Sequence, residues 1–315
     1  MVMDLSHIKG IAVIGLGKMG ADWVAQFLEG GYIVYGYDTS SDALQTVQTR
    51  LEKALTWIQK NREHPADFVA SALSRFHLCT SQQDLLEHQS HYQILLEAIF
   101  EDMDQKCKLL QTMVPKHDSS MIYWSNTSSL DVERMALAGG NPATFIGTHG
   151  MNPVYMMPAV EVVRHNQLDQ KTLDLTLELL HTKLNKIPFV ASNVTGFWVN
   201  KMLVPLMLEG IRALERGEIT VEDGDKGLKH SLGYPQGVFL LCDYVGVDTM
   251  YRVAMAMYLA TQDARYYPPV ILGKLFKRGE LGLKTGQGFY HWEDGKPIHG
   301  RSFEPDQIIS TDNLL

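Results

Sequence analysis

Ile11-Ala-Val-Ile14, followed by Gly15-Leu16-Gly17-Lys18-Met19-Gly20 and then by Ile33-Val-Tyr-Gly-Tyr37-Asp38, is the stretch that decides the fold. A short β-branched run feeds a glycine turn, and the turn feeds an amphipathic segment through Val24, Phe27 and Leu28 to Gly30-Gly31. A second apolar run then ends in a carboxylate, so the order reads strand, turn, helix, strand, acid. Glycines at this spacing permit a tight turn, close backbone approach to a pyrophosphate, and close packing of helix on strand. The helix N-terminus adds free N–H groups and positive potential for the phosphates. Such a glycine pattern is weak evidence by itself, and Asp38 strengthens it. A carboxylate at the end of the second strand is suited to a ribose 2′-hydroxyl and repels a 2′-phosphate. Thr39 and Ser40 follow it with no arginine, so the expected cofactor is NAD.

Working outward, strand-like runs at 76–79, 94–98, 121–125 and 145–148, with helical periodicity between them as at 104–114, extend this unit. Alternation of that kind builds a doubly wound parallel sheet of the Rossmann type. After Ile187-Pro188-Phe189 the strand pattern stops, and helices are expected at 196–216, 220–231, 237–245, 248–262 and 268–278. The reading is an α/β protein with an NAD-binding domain at 1–192 and a smaller all-helical domain for substrate and dimerisation at 193–292. A polar tail occupies 293–315, where Gly295, Pro297, Gly300 and Pro305 break any periodicity and loose order is expected. Between 42 and 74, Leu44, Val47, Leu51, Leu55 and Ile58 recur at helical spacing up to a break at His64-Pro65. That insertion is longer than a standard crossover, and reads equally as a clamp for a bulky substrate or an exposed helical hairpin.

Composition narrows the classes. The chain has 315 residues, 45% of them hydrophobic, and a formal net charge of -8 with its basic residues scattered. No electrostatic footprint for nucleic acid or an anionic membrane results. The N-terminus has neither a basic region nor an apolar core, so no secretory signal is expected and the cytoplasm is the default compartment. The most apolar helical stretch, near 197–208, is cut by Asn200, Lys201 and Pro205, and no membrane span is expected. Cys79, Cys107 and Cys242 lack metal-ligand spacing and read as buried free thiols, with no metal expected.

Ser125-Asn126-Thr127-Ser128-Ser129 follows an apolar strand, which puts its polar groups at the carboxyl edge of the sheet, where ligands bind in open α/β folds. The same residue types are ordinary caps for a helix beginning near Val132. His149 follows the next strand, and Glu161 stands within Ala159-Val-Glu-Val-Val163. An alcohol surrenders a hydride to a nicotinamide only if something accepts its hydroxyl proton, and an imidazole with an ordinary pKa of about 6.5 suits that task. A carboxylate behind the ring would fix its tautomer and stabilise its cation.

Four segments stand in order: Ser125 to Ser129, His149-Gly-Met-Asn152-Pro153 through Glu161, Gly196-Phe-Trp-Val-Asn200, and Leu281-Gly-Leu-Lys284-Thr-Gly-Gln-Gly-Phe-Tyr290. In them the chain resembles the L-3-hydroxyacyl-CoA dehydrogenase family, particularly its short-chain 3-hydroxybutyryl-CoA members, over most of its length. The resemblance implies that His149 is the base, Glu161 its electrostatic partner, and Ser128 and Asn200 the groups that hold the substrate oxygens. Glu97-Ala-Ile-Phe-Glu101 and the following residues to Lys106 resemble the family's cofactor segment, which implies Glu101 and Lys106 near the nicotinamide ribose and phosphates. Asn126, Asn152 and Lys284 would be further cofactor contacts. As residue types alone, Lys106 and Lys284 read as solvated surface lysines. The resemblance also implies a homodimer through the helical domain and a site in the cleft between the domains.

Departures from the family pattern bear on the substrate. Ala54 and Asn61 stand where a serine and a lysine would meet CoA phosphates, with Lys53, Lys60 and Arg62 near enough to substitute. Gly150-Met151 replaces an aromatic pair, Thr195 replaces a proline, and Trp198 replaces a smaller aliphatic, either shortening the acyl pocket or filling core. The acyl handle is therefore open between CoA, a carrier-protein thioester of the polyketide type, and a free hydroxy acid as in the related carnitine and gulonate dehydrogenases. A non-catalytic NAD-binding structural or sensor protein is the alternative outside enzymes.

Overall fold

The apolar run at Gly10–Ile14 (β1) is buried along its whole length because helices cover both faces of the sheet it starts. The computed structural model describes residues 4–114 and 120–303, in two compact units, Met1–Trp198 and Val199–Leu315. In the first unit β1 is followed by α1 (Lys18–Glu29), β2 (Ile33–Tyr37), α2 (Ser41–Asn61), α3 (Phe68–Leu73), β3 (Phe76–Leu78) and α4 (Gln82–Glu87). Then come β4 (Ile94–Glu97), α5 (Met103–Met113), β5 (Ile122–Ser125), α6 (Val132–Gly139), β6 (Phe145–Gly150), β7 (Ala159–Arg164), α7 (Gln170–Thr182) and β8 (Ile187–Ser192). The strand order is β3-β2-β1-β4-β5-β6-β7-β8, so the winding reverses between β1 and β4 and opens a crevice at their carboxyl ends.

The sheet is not parallel throughout. β7 runs antiparallel to β6, and β8 runs parallel to β7. Segment 151–158 carries no helix, and a strand pair joined without a crossover closes antiparallel. α2 buries Val47, Leu51, Ala54, Leu55 and Ile58 in the same core as Trp23, Val24 and Phe27 of α1. The insertion is thus packed along one face and is not a freestanding hairpin.

The second unit comprises α8 (Val199–Glu215), α9 (Val221–Leu232), α10 (Val238–Val245), α11 (Val247–Thr261) and α12 (Val270–Lys277) around Met207, Phe239, Cys242, Met257, Leu272 and Phe289. Helices fill it from Val199 to Lys277, as expected, and a small hairpin follows. Tyr290–Glu293 (β9) and Lys296–Gly300 (β10) form an antiparallel hairpin, which corrects the expectation of a loose tail from residue 293. Its turn, Asp294-Gly295, has φ of 48° and 74°, the left-handed pair that a two-residue hairpin requires. Residues 304–315 of the expected tail lie outside the described residues.

Two buried carboxylates pin this unit together. Asp243 accepts hydrogen bonds from the Phe289 and Tyr290 N–H groups and the Trp292 indole, each at 2.9 Å. Asp225 accepts from the Phe239 and Leu240 N–H groups at 2.9 and 2.8 Å and from the Tyr290 hydroxyl at 2.9 Å. A Cβ on Gly288 would sit 2.1 Å from an Asp243 oxygen, so the glycine there is required by close approach. Among the described residues no helix is long and apolar enough to cross a membrane, and no group of three His, Cys, Asp or Glu is placed to hold a metal. All three cysteines are free; burial pushes the Cys79 thiol up to about 12 and the Cys242 thiol well above its usual value.

Candidate active site

The glycine turn 15–20 lies at the sheet's reversal point, beside a cleft of about 640 Å³ lined by Gly15, Gly17, Lys18, Met19, Asp38 and Phe100. The three glycines differ in what holds them. Gly15 has φ of +93°, a left-handed conformation, and a Cβ on Gly20 would meet the Gly15 carbonyl oxygen at 1.7 Å. A Cβ on Gly17 would meet nothing within 4 Å. The first glycine therefore serves the turn, the third serves helix packing, and the middle one faces open space that a pyrophosphate can enter. Asp38 is aimed by the Leu16 N–H at 2.6 Å and the Ser40 N–H at 2.8 Å, leaving lone pairs for a ribose. This chain's residues fit a dinucleotide.

At the ends of β6 and β7, His149 and Glu161 are direct partners in the antiparallel ladder. His149 Nδ1 lies 3.0 Å from Glu161 Oε2, with the histidine 7% exposed and the carboxylate fully buried. The other carboxylate oxygen accepts the Trp198 N–H at 2.7 Å. Gly196 and Phe197, with φ of 76° and 50°, form a left-handed turn that delivers that N–H and sets the Phe197 ring edge-on to the imidazole at 6.1 Å. Trp198 itself is 58% exposed, so its ring is not core. Gly150 is bare because Trp23 approaches from α1, where a Cβ would meet the indole at 2.9 Å.

Ser128 leaves the same sheet edge, after β5. Glu101 accepts the Ser128 N–H and the Thr127 hydroxyl at 2.7 Å and the Ser129 N–H at 3.3 Å. Asn126 spends its carbonyl oxygen on the Trp23 indole at 2.7 Å and the Gly150 N–H at 3.2 Å, which ties α1 and β6 together. Lys106 is not a surface lysine: it is 1% exposed, forms an ion pair with the buried Glu97, and stands 3.4 Å from Glu101. Asn152 is exposed, two residues beyond β6.

The loop after Asn152 is held by a polar frame that sequence reading missed. Asp22 accepts the Val154 N–H at 2.9 Å, while Lys186 donates to the carbonyls of Val154 and Met157, the latter at 3.0 Å. Burial raises Asp22 to about 6 and lowers Lys186 to about 7. Arg62, at the end of α2, forms an ion pair with Glu29 and donates to the Tyr155 carbonyl at 2.6 Å. Both of its terminal nitrogens are thus committed to the fold. Ala54 is core, whereas Lys53 and Lys60 are exposed. An aspartate inside the helix after the glycine turn was the available signal for Asp22; Lys186 offered none.

Asn200 and Lys284 belong to the second unit. Asn200 is in the first turn of α8, and Lys284 forms an ion pair with Asp248 at 2.8 Å beside the left-handed Gly246.

Residues 10–194 match the NAD-binding domain of 3-hydroxyacyl-CoA dehydrogenase, and residues 196–292 match its C-terminal domain. The chain is 33% identical over 292 residues to the mitochondrial hydroxyacyl-coenzyme A dehydrogenase of Sus scrofa, covering 91% of this chain and 92% of that one. It is 33% identical over 289 residues to a 3-hydroxybutyryl-CoA dehydrogenase of Mycobacterium tuberculosis, covering 90% and 98%. The crystal structure of (S)-3-hydroxybutyryl-CoA dehydrogenase from Ralstonia eutropha superimposes with a TM-score of 0.83 at 31% identity, covering 91% of this chain and 100% of that one. With a glycine turn fit for NAD and both halves of the family model matched in order, the chain belongs to the 3-hydroxyacyl-CoA dehydrogenase family of NAD-dependent oxidoreductases.

Proposed function

We propose that this protein interconverts a short-chain L-3-hydroxyacyl thioester, 3-hydroxybutyryl-CoA, and the 3-ketoacyl thioester, with His149 as general base and acid. The observation that carries this reading is the His149–Glu161 pair, buried at the carboxyl edge of the sheet that bears the glycine turn. NAD, when bound, supplies the hydride acceptor. His149 Nδ1–H donated to Glu161 leaves Nε2 as the basic nitrogen of the neutral ring. On taking the hydroxyl proton the ring becomes a cation that the adjacent carboxylate stabilises, and in the reverse direction it returns that proton. Ser128 and Asn200 hold the substrate oxygens. Asn152, the amide group of Asn126, Glu101 and Lys284 serve the cofactor. Lys53 and Lys60, exposed on α2, are the cations left for the acyl handle. Apolar residues exposed on the second unit, among them Met202, Leu232 and Leu259, meet a second copy, and sedimentation of the purified protein as a dimer is the expected result.

A second reading has one observation in its favour. Arg62 is consumed by Glu29 and Tyr155, which removes one of three candidate phosphate contacts and favours a carrier-protein thioester over free CoA. NADH oxidation measured with acetoacetyl-CoA, with the same acyl group on a carrier protein, and with the free acid separates them. Fast turnover of the CoA ester supports the first reading, and turnover of only the carrier-protein thioester or only the acid overturns it. His149→Ala should slow turnover about a hundredfold or more with NADH binding intact, whereas a non-catalytic NAD-binding protein would show no turnover to lose.

A further inference from the structure

The Lys106 ammonium lies between two carboxylates that hold opposite ends of one segment. Glu97, fully buried at the end of β4, pairs with Lys106 and accepts the Ser125 hydroxyl at 2.7 Å. Glu101, 3.4 Å from Lys106, gathers the Thr127 hydroxyl and the Ser128 and Ser129 N–H groups on its other oxygen. We propose that Lys106 is a positioning residue, which neutralises Glu97 and Glu101 together and so locks segment 125–129, with Ser128 on it, at the sheet edge.

The physical reason is charge balance around a buried cation. One buried cation compensates a buried anion and attracts a second, half-exposed one, and a carboxylate held near the loop accepts N–H groups more strongly than a neutral acceptor. Without the ammonium nothing draws the Glu101 carboxylate inward, and it swings toward solvent and releases the Ser128 and Ser129 N–H groups. At 1% exposure Lys106 reaches the loop through Glu101. The inference rests on the proposed role of Ser128 at the substrate, and its first readout does not depend on turnover.

The test uses Lys106→Met combined with Glu97→Gln, which leaves no unpaired buried charge. Amide hydrogen exchange at Ser128 and Ser129 in the free protein should speed up at least tenfold, and kcat at saturating NADH should fall about tenfold. Should the double variant not fold, Glu101→Gln, at a half-exposed position, is expected to accelerate exchange at the same two amides and to lower kcat. NADH affinity weakened tenfold with exchange at both serines and kcat unchanged would make Lys106 a cofactor contact only and overturn the proposal. Unchanged exchange at both serines, with only the melting temperature lowered, would overturn it in favour of a purely structural ion pair. A protein that turns over no thioester fails the proposed function alone, since the exchange rates still report on Lys106.

Discussion

Both units bury carboxylates, but they satisfy them differently. In the first, Glu97 meets the Lys106 ammonium and Glu161 meets the His149 imidazole. In the second, Asp225 and Asp243 meet backbone N–H groups, a phenol and an indole. Groups of the first kind stand at strand ends on the carboxyl edge of the sheet, where a proton or a charged ligand can exploit them. Groups of the second kind stitch α9, α10 and the hairpin into one body. A buried acid is therefore a sign of chemistry only when its partner can itself titrate or move; with fixed dipoles around it, it is a fastener.

The comparison breaks first at Glu161. Glu161→Gln presents an N–H to His149 Nδ1 and drives the ring proton to Nε2, the wrong tautomer for a base. A kcat loss of about a hundredfold or more, with NADH affinity unchanged, is expected; a loss under about fivefold would mean that the pair is merely structural. Asp243→Ala is the counterpart in the second unit. It strands two N–H groups and an indole, and urea unfolding should show a loss of about 3 kcal/mol or more while the NADH affinity of the folded protein is retained.

The pH response should also separate the units. Lys186, lowered by burial to about 7, binds fewer protons folded than unfolded, so its contribution to stability rises as pH climbs from about 7 toward about 10. Lys186→Met should lose that rise, with a slope of at most about 1.4 kcal/mol per pH unit at stake. Burial raises Asp225 and Asp243, so the folded state holds their protons more tightly. Their contribution falls as pH increases from the ordinary carboxylate range through the raised values, and Asp225→Asn should flatten that fall. An equal pH slope in wild type and Lys186→Met would sink the distinction. The smallest effect is expected at Lys284, whose pair with Asp248 is solvent-exposed: Lys284→Met should change stability by less than about 1 kcal/mol, and NADH titration of the same variant tests its proposed cofactor contact.

Much of the first unit was legible because its elements are local. Strand, glycine turn, helix and Asp38 follow one another within one crossover, and their periodicities survive in the linear chain. The antiparallel turn of β7 was not read, although the absence of a helical pattern between His149 and Glu161 was there to be seen. The hairpin of Tyr290–Glu293 and Lys296–Gly300 was masked by the glycines and prolines around it, although Asp294-Gly295 between two β-forming runs is a turn signal. The reach of Arg62 to Tyr155 and the burial of Lys106 and Lys186 left no trace, because each depends on elements far apart along the chain.

By itself the sequence determined the order of strands and helices, the glycine turn with its Asp38, and the histidine and glutamate at the sheet edge, since backbone periodicity and residue chemistry act over short ranges. Only the tertiary structure decided which lysines are buried, which arginine is already spent, and that Glu161 is aimed by the N–H of Trp198. Those outcomes rest on packing between distant segments, where desolvation decides whether a charged side chain finds a partner inside the protein or remains in water.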